Sequence, residues 1–148
     1  NFRRFKTALR IPPRRYVLLV RVIGLSIQAW YLDKNQPSKF LPENWLHDSL
    51  RQPTTIQDVS RIKDISWAIR IGASITPWEN VCRHQAWQAA ILLNHYGIAF
   101  HYVIGAKKNQ EGKIEGHSWI LADNRFVSGR CNVREYTILK QFSLNQST

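Results

Sequence analysis

Methionine is missing from this chain, cysteine occurs twice, and the ten acidic residues are outnumbered by twenty-one lysines and arginines. Two cysteines, Cys82 and Cys131, are too few for the disulfide framework of a small secreted domain, which points to a reducing compartment and a cytoplasmic location. No Cys-x-x-Cys or His-x-x-x-His spacing and no phosphate-binding loop is present, so neither a metal nor a cofactor is expected. Long apolar runs are scarce as well. The longest, Tyr16 to Leu32, is interrupted by Arg21, Gly24, Ser26 and Gln28 and does not read as a bilayer-spanning helix. Because it starts at Asn1 and lacks methionine, the chain reads as trimmed, with any targeting signal outside it.

What is present suffices for one domain. The chain has 148 residues, 44% of them hydrophobic and six of them tryptophan, enough apolar surface to offset the entropy lost on ordering. The net charge is +11 and is unevenly placed: Arg3, Arg4, Lys6, Arg10, Arg14, Arg15 and Arg21 all precede the first acidic residue, Asp33. Such a basic arm is either a solvated face or a surface for anionic partners, including a membrane surface contacted through the helix that follows.

That helix is predicted from Pro12 and Pro13 onward, with Val17, Val20, Ile23, Gly24, Ile27 and Tyr31 as its inner face. An irregular, proline-rich connection over about residues 34 to 54 follows. Thr55 and Asp58 form a capping signal for a second helix whose stripe is Ile56, Val59, Ile62, Ile65 or Ser66, and Ile69, ending near Ala73. Thr76-Pro77 opens a third, running from about Val81 to His95 with Ala86, Ala89, Ala90 and Leu93 inside and Gly97 ending it. Ile98 to Ala106, Gly116 to Ala122 and Arg125 to Ser128 read as strands. A polar loop, Lys107 to Glu115, separates the first two, and the Asp123-Asn124 turn joins the last two. After about Phe142 a polar, frayed tail is expected.

Cys82 falls in the first turn of the third helix, where unpaired N–H groups and the helix dipole favour a thiolate and face an oxyanion. Taken alone, a single cysteine is more often a buried, inert thiol. A nucleophile needs an imidazole within reach. His84 is expected on another face of the same helix, with Arg83-His84 at the surface; His95 and His101 read as structural or solvent-facing, and His47 lies in a loop. His117, in Gly116-His117-Ser118-Trp119 beside the polar loop, is the candidate base. Trp119 reads as core.

Trp78-Glu79-Asn80-Val81-Cys82, Ala86, Leu92-Leu93, Gly97-Ile98, Val103-Ile104-Gly105 and Gly116-His117-Ser118-Trp119-Ile120 together resemble the cysteine-to-histidine core of lasso-peptide leader peptidases. The likeness covers residues 76 to 142, where Phe126-Val127-Ser128-Gly129 and Tyr136-Thr137-Ile138-Leu139 extend it. It implies an α+β, transglutaminase-like and papain-related fold, with the nucleophile at a helix N-terminus packed on an antiparallel sheet and a helical region ahead of it. The expected layout is a single domain: a helical region over 1–75, a catalytic core over 76–142 and a tail over 143–148. The implied activity is a cysteine peptidase that removes the leader of a ribosomally made precursor. Implied partners are that leader peptide, a small separate leader-recognition protein and a lasso cyclase; nucleic acid is not expected.

One position departs from the family. Where an aspartate is expected on the strand after the histidine, this chain has Gly129. Simple pairing across the turn sets His117 opposite Arg130, with no carboxylate beside it. Asp123 is the nearby acid, but six residues of strand separate it from His117, about 20 Å. Asp123, Asn132, Ser128 and a backbone carbonyl therefore all stand as orienters of the ring. Two other readings fit the same residues: an acyl transferase using the same acyl-enzyme, and a non-catalytic basic binding module.

Overall fold

The computed structural model describes residues 11–46 and 54–144. Arg3, Arg4, Lys6 and Arg10 of the basic arm, His47, Pro53 and the end of the tail lie outside the described residues.

Helix α1 spans Pro13–Asn35, with Pro13 in its first turn, where a missing N–H removes no helical bond. Its buried face is Leu18, Val22, Ser26 and Ala29, not the predicted stripe; Val17 and Val20 are 61% and 70% exposed. Close backbone approach decided between the two stripes. A Cβ on Gly72 would stand 2.7 Å from Val22 Cγ1, so the glycine lets the helices meet at Val22. By length and composition α1 is the one helix among the described residues that could cross a membrane.

Two short helices, α2 (Pro37–Phe40) and α3 (Pro42–Trp45), replace the first part of the expected irregular connection, each with its proline in the first turn. Helix α4 covers Ile56–Ile75, opened by the predicted Thr55–Asp58 capping box. Ile62, Ile65, Ala68 and Ile69 are buried, whereas Ile56 is fully exposed. Asp64 is buried too, its carboxylate held by Arg14 and Arg15 at 2.7 Å each. Thr76 closes α4 instead of opening the next helix. Helix α5, Cys82–His95, buries the predicted Ala86, Ala89, Ala90 and Leu93. It is followed by Gly97 at φ +67, a conformation that costs an L side chain and suits glycine.

The strands are β1 (Phe100–Lys108), β2 (Ile114–Ala122), β3 (Arg125–Ser128) and β4 (Thr137–Leu144), the last not predicted and running two residues into the expected frayed tail. They form one antiparallel sheet in the order β3-β2-β1-β4. Both residues of the Asp123-Asn124 turn have positive φ, as a two-residue hairpin requires. One face of the sheet, with Phe100, Tyr102, Ile120, Ala122 and Val127, packs on α5, α4 and α1 in a single core.

Candidate active site

Cys82 is the first residue of α5 and is half-buried. Val81 precedes it without a side-chain cap, and the first backbone bond of the helix runs from the Gln85 N–H to the Val81 carbonyl at 3.0 Å. The N–H groups of Cys82, Arg83 and His84 thus have no partner in the helix itself. Side chains from α5 reach back to hold the approach segment. Gln85 Nε2 donates to the Asn80 carbonyl at 2.8 Å and Gln88 Nε2 to Asn80 Oδ1 at 2.9 Å. Trp78 Nε1 donates to Ser26 Oγ at 3.1 Å, which fastens the segment to α1.

His84 belongs to this clamp, which corrects the expectation that Arg83-His84 is superficial. Arg83 is exposed, but His84 is 1% exposed, with Nδ1 3.1 Å from the Glu79 carbonyl and Nε2 2.9 Å from Asp33 Oδ2. Burial acts to raise the Asp33 carboxyl, yet the bonds from His84 and Arg83 outweigh it and hold the group below its ordinary value.

His117 is on β2, half-buried, its ring stacked beside Trp119 at 6.0 Å and Tyr136 at 5.4 Å. Its Nε2 lies 2.8 Å from the Gly129 carbonyl oxygen. A carbonyl only accepts, so Nε2 carries the proton, and in the neutral ring Nδ1 is the acceptor. The ring's hydrogen-bond partner is thus the main chain at the position where the resemblance implies an aspartate. A β-bulge between Ile120 and Leu121 explains how it gets there: Ile120 pairs with Ser128, one residue beyond simple hairpin register, so the expected His117–Arg130 pairing does not form. Gly129 has φ +67, and a Cβ there would collide with the Ser118 carbonyl oxygen.

Asp123 does not hold the ring. It sits in the hairpin turn at φ +49 with its carboxylate 3.5 Å from Arg125, the turn role that its position suggested. Asn132 donates to Glu135 at 3.1 Å, and the Ser128 hydroxyl has no partner among the described residues. Trp119 is core, 1% exposed. Gly105 makes room for it, since a Cβ there would come within 2.9 Å of the indole.

Two links tie the Cys82 turn to the His117 end of the sheet. Tyr102, pushed up to about 12 chiefly by burial, lies near Cys82, and its hydroxyl bonds to Ser118, the neighbour of His117 in sequence. Gln85, one turn along from Cys82, shares a cleft with Gly129. The structure does not bring the two candidates into contact: no hydrogen bond joins Cys82 and His117 among the described residues, and His117 lies on the sheet face away from α5. Strand alternation sets His117 with Trp119, while Ser118 and Ile120 point toward α5. Cys131, half-buried, has its thiol raised by burial, so it is a poor nucleophile.

No curated protein and no solved structure matches this chain. A model of the transglutaminase-like superfamily matches residues 43–141 of the 148, taking in the cysteine helix, the histidine strand and most of β4. With a cysteine at a helix start and a histidine on an adjoining antiparallel sheet, the chain belongs to the transglutaminase-like superfamily, which includes cysteine peptidases and acyl transferases.

Proposed function

We propose that the chain is a cysteine peptidase that removes the leader from a ribosomally synthesised lasso-peptide precursor. The observation that carries the reading is the His117 ring, fixed through Nε2 to the Gly129 carbonyl so that Nδ1 is the nitrogen left to act as base. Cys82 Sγ attacks the scissile carbonyl and His117 Nδ1 accepts its proton. The N–H groups of the first turn of α5 stabilise the oxyanion. Collapse of the tetrahedral intermediate forms a thioester as the protonated His117 passes its proton to the leaving amine. Water, deprotonated by His117, then releases the acid. Sγ and Nδ1 must come within hydrogen-bond reach for the first step, which requires the His117 ring to move from the sheet face it shares with Trp119 toward α5. Trp119 and Tyr136 cover the His117–Gly129 bond, and bonds shielded from water hold their geometry better. Sequence likeness to leader peptidases supports the substrate; a small recognition protein then presents the leader, and a separate cyclase closes the ring.

The test is to incubate precursor and recognition protein with wild type and with Cys82→Ala, and to weigh the products. Cleavage with gain of water, abolished in the variant, is expected. Undiminished cleavage by the variant sinks the assignment, and an amine retained on the product shows an acyl transferase instead.

A further inference from the structure

A cleft of about 790 Å³ lies between α4 and β3 and takes in Gly129, whose carbonyl holds His117. That volume suits a short stretch of peptide. Lys63, Arg70, Arg125 and Arg130 line it, and no acidic residue does. Arg125 is spoken for by Asp123, while Lys63, Arg70 and Arg130 are exposed and have no acidic partner among the described residues. The floor suits an extended backbone. Among the described residues β3 is an edge strand, so one side of its main chain has no strand partner there, and the buried Ser128 hydroxyl makes no hydrogen bond to them. Ile62, Ile69 and Phe126 supply apolar wall.

From these features we infer that the cleft binds an extended acidic segment of the substrate peptide and leads the bond beside it to Cys82. The inference rests on the reading of Cys82 and His117 as an acyl-transfer pair and adds the substrate's charge. A peptide accounts for the cleft better than a nucleic acid does. The Arg15 guanidinium lies over one face of Trp67, the cleft's indole, at 5.2 Å, which leaves less aromatic surface on which bases stack.

The probe is a short fluorescent peptide of alternating glutamate and alanine, with its lysine–alanine counterpart, titrated by anisotropy into full-length Cys82→Ala. Binding of the acidic peptide alone is expected, weakening as salt rises and by about tenfold when Lys63→Glu and Arg70→Glu are added. Lys108→Glu with Lys113→Glu changes the net charge equally at a distant turn and is expected to leave binding intact. Equal loss in both double variants overturns the inference, as does a single-stranded oligonucleotide that binds more tightly and displaces the peptide. Lys63→Gln with Arg70→Gln repeats the test should the reversals unfold the chain. In wild type, bound acidic peptide is expected to slow iodoacetamide alkylation of Cys82; unchanged alkylation under saturating peptide also overturns it. Failure of the nucleophile reading registers separately, as a Cys82 that alkylates no faster than free cysteine whether or not peptide binds.

Discussion

The two histidines nearest the proposed chemistry are held in opposite ways. His84 is sealed in the first turn of α5 with an acceptor at each nitrogen, so its hydrogen bonds are complete only when both carry protons. His117 has one nitrogen anchored at Gly129 and the other without a partner among the described residues. A ring with both nitrogens engaged has nowhere to receive a thiol proton; a ring held at one end and open at the other is what a general base requires. Proximity to Cys82 in sequence favours His84, and the hydrogen bonding favours His117. His84 is better understood as the pin that joins the nucleophile's turn to α1 through Asp33.

The widest separation between the two is expected in activity. His117→Ala should slow acyl-enzyme formation by about 10²- to 10⁴-fold, the usual contribution of a positioned base, with the urea midpoint nearly unchanged. Equal slowing by a variant at His84 that keeps its fold would collapse the distinction. Next comes Gly129. Replacing it with Asp supplies the carboxylate that the resemblance implies, yet the Cβ meets the Ser118 carbonyl oxygen and the residue must adopt φ +67. We expect loss of about 2 kcal/mol or more in denaturant unfolding and lower, not higher, turnover. A gain in rate would show that the backbone carbonyl is an inferior stand-in. His84→Ala should cost about 2 kcal/mol through the unsupported Asp33 and Glu79 groups, while the alkylation rate of Cys82 per folded molecule changes little.

Local signals and distant ones fared differently when the sequence was read. Thr55 with Asp58 and Asp123-Asn124 are short-range devices whose chemistry is complete within a few residues, and the structure has both. Cys82 at the head of α5 is legible for the same reason. The inner face of α1 is not, because Leu18, Val22 and Ala29 repeat at helical spacing as well as Val17, Val20 and Ile27 do; Gly72, on another helix, breaks the tie. Strand β4 gives no alternation, since Ile138 and Leu139 are both exposed, and it exists through pairing with β1. His84 looked superficial because its partner Asp33 stands 51 residues away. Gly129 was recognisable as a departure, but its replacement is a main-chain oxygen, which no side-chain pattern encodes, delivered by a bulge one residue out of register.

The smallest effect concerns acid. Asp33 is held below its ordinary value in the folded chain, with burial opposing and the His84 and Arg83 bonds prevailing. A carboxyl whose folded value is depressed binds more protons unfolded than folded, so its stabilising contribution is complete above about pH 4 and is lost as pH falls through the folded value. The Asp33 side chain is 18% exposed but its partner Arg83 is 52% exposed, so screening on the Arg83 side keeps that contribution to about 1 kcal/mol. Urea midpoints measured from neutral pH downward should therefore fall slightly less steeply below about pH 4 in Asp33→Asn than in wild type. The corresponding change at Asp123, an exposed turn residue, should leave the slope as it is. Parallel slopes for Asp33→Asn and wild type would mean that the pin between α1 and the nucleophile's turn is held by shape and hydrogen bonds without help from charge, and His84 would then differ from His117 in packing and hydrogen bonding alone.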